Sequence, residues 1–166
     1  SHKEQPKLAR YMIQSWCMRI ENRTFHREYE AIDTVEVGVV LTGSEVKSIR
    51  QGNLRLDTAF VKIINFEAVL VNAEIPLYRF APSQSYEPTR QRKLLMHKKE
   101  ILKLQTKVQS GGRLTIIPIV CYTKGSRIKL EIALSKPKGE IAKKKLERAE
   151  DVKREQQKEM KEYMKK

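Results

Sequence analysis

Between Arg127 and Leu134 the chain reads RIKLEIAL, with Ile128, Leu130, Ile132 and Leu134 at every second position and charged residues at Arg127, Lys129 and Glu131. Period two is the repeat of a half-buried β-strand, whose successive side chains leave opposite faces of a sheet. The same alternation runs through TVEVGVVL, where Val35, Val37, Val39 and Leu41 share a face, and through AFVKII. In EAVLVNAEI it places Val69, Val71, Ala73 and Ile75 together. RLTIIPIVCY is a nearly continuous apolar run interrupted by Pro118. Proline has no N–H to give a ladder, so Pro118 predicts an edge position or a bulge. TKGS, between the last two runs, reads as a hairpin turn joining antiparallel neighbours.

Two helical patterns punctuate the strands. SEVKSIRQG predicts a helix capped by Ser44 and ended by Gly52, with Glu45, Lys47 and Arg50 facing solvent. From about His97 to Ser110, Ile101, Leu104 and Val108 share one face, Lys98, Lys99, Lys103 and Lys107 the other, and Gly111-Gly112 ends the segment. Residues 1–21 form a leader whose Leu8, Tyr11, Met12, Trp16 and Ile20 recur near helical spacing, with Trp16 read as a packing residue. The fold class expected is α+β, mostly β: a small closed antiparallel barrel of the oligonucleotide-binding type over residues 22–135, with flanking helices. Periodicity does not fix strand order, so a jelly roll and an open α+β sandwich stay open.

From Lys136 to Lys166 the composition turns charge-dense, with few core-grade residues. Glu140 with Lys144, and Glu150 with Arg154, stand at i and i+4 and favour a solvated helix. This basic tail has too little apolar surface to fold along the barrel, so disorder is expected in isolation and a helix on a partner.

A formal net charge of +14 over 166 residues, from 34 Lys and Arg against 20 Asp and Glu, makes a polyanion the expected partner. Each phosphate neutralised releases condensed counterions. Cys17 and Cys121 are too far apart in sequence to suggest a disulfide framework and fit a reducing compartment. No apolar run nears the ~18 residues of a membrane span, and SHKEQPKLAR lacks a secretory apolar stretch. A start without Met is read as a processed end or an expression remnant. The histidines are His2, His26 and His97, and there is no G-x-S-x-G, P-loop or H-E-x-x-H. Asp33, Glu36, Glu45 and Asp57 are scattered among basic residues. No enzyme, no metal and no cofactor is expected.

The basic block PTRQRKLLMHKKEI carries Arg90, Arg92 and Lys93 before Leu94-Leu95, then His97, Lys98 and Lys99. Pro88-Thr89 favours a turn, which predicts the arginines on an exposed loop, where their forks suit phosphate oxygens. Phe60 beside Lys62 is a candidate stacking platform, with packing under a helix the favoured reading.

Three ordered segments resemble the SmpB (small protein B) family. Asn22-Arg23, followed by Phe25 and Tyr29, is similar to its N-R/K-x-A-x-x-x-Y opening. The run EVGVVLTGSEVKSIR, Glu36 to Arg50, is similar to its E-x-G-I-x-L-x-G-x-E-V-K-S-L-R signature. PTRQRKLLMHK, Pro88 to Lys98, is similar to its P-x-R-x-R-K-L-L-L-H-K segment. The resemblance covers Asn22 to Leu134 and implies an oligonucleotide-binding barrel that holds the tRNA-like domain of transfer-messenger RNA and delivers it to stalled ribosomes for trans-translation. It implies RNA contacts from Asn22, Glu36 and Leu95. Arg23, Tyr29, Lys47, Arg50, Arg90, Arg92, Lys93 and Lys98 complete the expected RNA-binding set.

The ribosomal partners implied are small-subunit RNA, the decoding centre and the vacant mRNA channel, which the tail enters. Lys136, Lys138, Lys143, Lys144 and Lys145 are its expected contacts. The tail departs from the family's A-K-G-K-K-x-x-D-K-R, with Pro137, Gly139 and Ala142 where that pattern has Gly, Lys and Asp. Asn53 stands where a basic residue follows the helix glycine. A monomer is expected, with no DNA and no membrane partner, in the bacterial cytoplasm or in an organelle matrix or stroma after transit-peptide removal. A general RNA-binding or ribosome-assembly barrel without transfer-messenger RNA specificity is the alternative.

Overall fold

Among the described residues the chain forms seven strands, every pairing between them antiparallel. The structure is a computed structural model and describes residues 18–82 and 85–164. In chain order it runs β1 (Arg19–Glu21), α1 (Phe25–Glu28), β2 (Tyr29–Val39), α2 (Gly43–Arg50), β3 (Phe60–Ile64), β4 (Glu67–Val71), β5 (Arg92–Leu95), α3 (Lys98–Ser110), β6 (Thr115–Lys124), β7 (Arg127–Pro137) and α4 (Glu140–Tyr163). The sheet order is β1-β6-β3-β4-β5-β2-β7, and β6 also pairs with β7.

Leu130, Ile132 and Leu134 of β7 are each 1% exposed and meet Val37, Ile49, Leu70 and Leu94 in the main core. Burying each such side chain is worth roughly 1.5–3 kcal/mol. A second, smaller cluster covers the other side of the sheet, where Phe25 of α1 packs on Ile117 and Ala133. Phe60, half-buried, packs against that cluster, with Lys62 Nζ 5.4 Å from its ring centre. Pro118 sits where the β6–β7 register shifts, the bulge its missing N–H predicts. The β6–β7 connection is the two-residue hairpin at Gly125-Ser126, with Gly125 at φ +62°.

Three expectations need correction. Arg19–Glu21, read as part of the leader, form β1 on the edge of β6, so Ile20 is in a strand; the rest of the leader helix expectation, with Trp16, lies outside the described residues. The core does not end at residue 135, because β7 continues to Pro137 and pairs there with Tyr29. The cap of α2 is Thr42 and not Ser44: Thr42 Oγ1 accepts from the Glu45 N–H while the Glu45 carboxylate accepts from the Thr42 N–H at 2.9 Å. This reciprocal box sets the start of the helix two residues earlier than a Ser44 cap suggests.

The tail is α4, a continuous 24-residue helix with no buried residue, about 36 Å long at 1.5 Å per residue. Good helix formers and i,i+4 opposite charges sustain it without a packed face. Its root is tied to α1: the Lys138 N–H donates to Glu28 O at 2.8 Å, Lys138 Nζ donates to His26 O at 2.7 Å, and Lys143 pairs with the Glu28 carboxylate. That pairing, with a smaller contribution from Arg27, holds the Glu28 carboxyl below its ordinary range.

The β3–β4 hairpin turns on Asn65-Phe66, both left-handed at φ 49° and 60°. Asparagine tolerates that region, but a bulky residue there costs roughly 1–2 kcal/mol. Glycine removes that cost and returns part of it as lost chain entropy, roughly 0.5–1 kcal/mol. Phe66 is 61% exposed, so little packing is lost with it. Phe66→Gly is therefore expected to stabilise the fold by about 0.5–1 kcal/mol, read as a higher urea midpoint; a lower midpoint would show that the ring contributes more than the backbone strain costs.

Candidate nucleic-acid interface

The strand register lines up one outward row across five strands. Arg19 pairs with Tyr122, Tyr122 with Lys129, Lys129 with Gly38, and Gly38 with Leu95. Gly38 has a local reason to lack a side chain: a Cβ there would stand 3.3 Å from both Cβ and Cδ1 of Leu95. The glycine lets Leu95 lie across the strand while staying 57% exposed. Beside this row opens a groove of about 810 Å³ whose lining includes Glu36, Gly38, Leu95, His97, Arg127 and Lys129. It is open, mixed polar and apolar, and has a leucine on its wall, a shape suited to an unpaired base or ribose.

Glu36 faces this surface without repelling an anion as a bare carboxylate would. It accepts a hydrogen bond from the Tyr122 hydroxyl and lies 3.5 Å from Lys124 Nζ. The Tyr122 hydrogen bond leads in holding the Glu36 carboxyl below its ordinary range. Burial, then the Glu36 hydrogen bond, pushes the Tyr122 hydroxyl up to about 12. Glu36 thus orients a tyrosine and a lysine toward the groove's edge.

The arginines of the basic block fall into a different role. Arg92, expected on an exposed loop, lies in β5 and is 0% exposed. Its guanidinium donates to Glu45, to Ala73 O at 2.7 Å, to Arg90 O at 2.9 Å and to Pro88 O at 2.9 Å. Glu45, expected to face solvent, is also 0% exposed and takes a two-pronged contact from Arg90 at 2.8 and 2.6 Å. A carboxylate is kept ionised in the interior only when charged partners surround it. Burial pushes the Glu45 carboxyl up, but the Arg90 hydrogen bond, the Thr42 N–H and Arg92 together outweigh it and hold it low.

Asn22 is likewise turned inward, at 2% exposure. Its amide donates to Leu56 O at 3.1 Å and Pro118 O at 2.9 Å, and its oxygen accepts from the Thr24 N–H and hydroxyl. With all four bonding positions used, it pins the β1–α1 corner instead of offering a donor to RNA. Tyr29 is half-buried and stacked on Phe25. Arg23, Lys47, Arg50, Lys93 and Lys98 are exposed. Arg50 donates to Ser126 O at 3.0 Å on the groove's rim, and Lys93 pairs with Glu67. In the tail, Lys136, Lys144 and Lys145 are exposed, while Lys138 and Lys143 are engaged with α1.

Tyr122 and Lys124 escaped the sequence reading, and Arg127 and Lys129, read there as the charged face of the last strand, were not among the expected RNA contacts. The signal for all four is the outward phase of the β6–β7 hairpin. Lys103 and Lys107, placed by the sequence on the face opposite the apolar residues, reach Asp33 at 3.5 and 2.8 Å and fasten α3 to β2. Cys121 is buried, which pushes its thiol up to about 12. Among the described residues no group of three or more His, Cys, Asp or Glu could hold a metal ion.

The sequence model of the SmpB protein family matches residues 19–162. The chain belongs to the SmpB family. The SsrA-binding protein of Persephonella marina is 48% identical over 134 residues, 81% of this chain and 88% of that protein. That of Sulfurihydrogenibium sp. is 47% identical over 139 residues, 84% of this chain and 90% of its own. A solved chain described as "tmRNA-SmpB: a journey to the center of the bacterial ribosome" superposes with a TM-score of 0.63 at 34% identity, covering 74% of this chain and 86% of that one. The SmpB match takes in both β1 and most of α4, so the edge strand and the tail helix belong to the family's extent.

Because Glu45 titrates below its ordinary 4.5 in the folded state, its contribution is fully present above pH 4.5 and is lost as pH falls through the folded value. Glu45→Gln, which leaves Arg92 buried without its counter-charge, is expected to cost about 3–5 kcal/mol at pH 7. Urea unfolding between pH 7 and 3 should also show a shallower acid loss for the variant than for the wild type. Equal slopes would mean that the network is held by shape and not by charge.

Proposed function

We propose that this protein is a non-enzymatic RNA-binding factor of trans-translation. It binds the tRNA-like domain of transfer-messenger RNA and brings it to stalled ribosomes, where α4 probes the empty mRNA channel. The family match over residues 19–162, with SsrA-binding relatives at 41–48% identity, carries this reading. The basic, groove-bearing face fits it physically. The circuit of pairings β6-β3-β4-β5-β2-β7-β6 supports a closed barrel of the oligonucleotide-binding type beneath that face. Transfer-messenger RNA and the ribosome are the partners, and the bacterial cytoplasm is the place where both occur. Among the described residues no helix is long and apolar enough to cross a membrane.

In this reading the binding set is narrower than the sequence suggested. Leu95 packs on a base or ribose, Tyr122 and Lys124 are aimed by Glu36, and Arg50, Arg127 and Lys129 meet phosphates around the groove. Arg23, Lys47, Lys93 and Lys98 supply the outer charge. Arg92, Arg90 and Asn22 hold the scaffold on which these stand.

Mobility shifts at about 0.2 M salt, where non-specific phosphate attraction is weakened, test the assignment. The tRNA-like domain should bind more tightly than an unrelated hairpin. Leu95→Ala and Glu36→Ala should each weaken it roughly 5- to 100-fold, with unfolding free energy changed by less than about 0.5 kcal/mol. Equal affinity for both RNAs would move the protein to the general RNA-binding class.

Removal of α4 should separate the two halves of the function. The cut belongs after Gly139, since a cut after residue 134 would strip Ser135–Pro137 from β7 and leave Thr115 O without the Ser135 hydroxyl. The shortened chain is expected to bind the tRNA-like domain within about twofold of wild type, since the groove is intact, and to lose peptide tagging on stalled ribosomes. Retained tagging would remove the tail from the mechanism.

A further inference from the structure

Between β4 and β5, away from the groove, the chain makes a short exposed turn with the sequence Tyr78-Arg79-Phe80-Ala81. Phe80 is 76% exposed, among the most exposed aromatic side chains described. It has company that an accidental surface phenylalanine lacks. Tyr78 meets it edge to face with ring centres 5.6 Å apart, Arg79 lies 5.6 Å from its ring centre, and Lys47 of α2 stands 5.4 Å from the centre of the Tyr78 ring.

The turn is also held. Ser48 of α2 donates its hydroxyl to Pro76 O at 2.6 Å, Tyr86 donates its hydroxyl to Ile75 O at 2.6 Å, and the Ala81 N–H returns to Tyr78 O at 2.9 Å. These bonds grip the approach to the turn from two sides and close the turn itself. A fixed aromatic face costs less conformational entropy on binding than a mobile one.

Aromatic rings interleaved with cations are the pattern that takes unpaired nucleotides. The ring offers a stacking surface to any base, and the cations meet the flanking phosphates. A protein partner is less well matched, since two like charges, Lys47 and Arg79, flank the rings in a chain of net charge +14. We propose that the Tyr78–Ala81 turn is a second RNA contact, which stacks one unpaired base on Phe80 and takes its neighbouring phosphates on Arg79 and Lys47. The inference rests on the RNA-binding reading above and adds to it a site separate from the β2–β5 groove. Lys47 and Arg50 lie one helical turn apart on α2, so this helix supplies cations to both sites. An RNA strand that crosses α2 can touch both at once.

The test uses the full chain and the tRNA-like domain of transfer-messenger RNA, transcribed with 4-thiouridine. Phe80→Leu removes the π face with little change in apolar bulk, and Phe80→Tyr restores the face. Phe80→Leu is expected to weaken binding by roughly 5- to 150-fold, the range for loss of one stacked base, and Phe80→Tyr to remain within about twofold of wild type. Irradiation should attach RNA to Tyr78 or Phe80 as well as to residues of the groove, read by mass spectrometry. Wild-type binding with an unaffected Phe80→Leu and no adduct on the turn overturns the second site alone. Absence of RNA binding by the wild type overturns both the site and the reading beneath it. Unchanged RNA affinity with weakened ribosome association assigns the turn to a protein contact and overturns its role as an RNA platform.

Discussion

The carboxylate of Glu45 is the contact on which the architecture around the groove depends. It closes the cap of α2, neutralises Arg92 in the interior and anchors Arg90 at the margin. Through Arg92 it reaches the backbone of Ala73, Pro88 and Arg90, so one charged group fixes the helix, the end of β4 and the approach to β5 in mutual register. A hydrophobic replacement of similar volume could match its stability, because the desolvation of buried ions offsets much of their attraction. It could not match its direction. Three guanidinium hydrogen bonds to the carbonyls of Ala73, Arg90 and Pro88, with Glu45 on the remaining side, specify where β5 begins, and hence where Leu95 emerges.

That network also explains what was legible in the sequence. Strand phase was clear wherever one face is core and the other is solvent, as in Val35 to Val39 and Ile128 to Leu134. It failed to report side-chain destiny where charge is buried. Arg90, Arg92 and Lys93 are adjacent basic residues in one block, yet they are respectively marginal, buried and exposed. The difference is set by strand parity in β5 and by a glutamate 47 residues away from Arg92. No local pattern contains that information. Asn22 is the same case: its four partners come from three separate segments, one of them 96 residues distant. The tail shows the converse. Its charge density was plain, but the contacts that root it on Glu28 span 115 residues for Lys143.

The groove face illustrates how a basic protein accommodates acid on an exposed, cation-rich surface. Glu36 would oppose a phosphate if it stood alone. Bound by Tyr122 and Lys124, it becomes the part that aims two donors, and its charge is already spent on them. Gly38 next to it performs a steric task of the same kind, since its missing side chain is the space in which Leu95 lies. The apolar contact and the polar contacts of this face therefore each depend on a residue that need not touch RNA. Substitutions at such positions are expected to act on affinity through geometry, which distinguishes them from losses of surface charge, whose effects shrink as salt rises.

The root of α4 raises a mechanical question that its composition answers. A helix about 36 Å long with no buried residue has no packing to fix its direction. Its direction is set where it leaves the barrel, by Pro137 at the end of β7, by the Lys138 contacts to α1 and by the Lys143–Glu28 pair. These are half-exposed polar contacts, worth a few kcal/mol together at most. They are strong enough to bias the direction of a free helix and weak enough for a highly charged binding site to override. The proposed role, a tail that searches for a channel and then settles in it, needs that balance. A hydrophobic anchor would hold the helix against the barrel, and no anchor at all would leave its direction to chance.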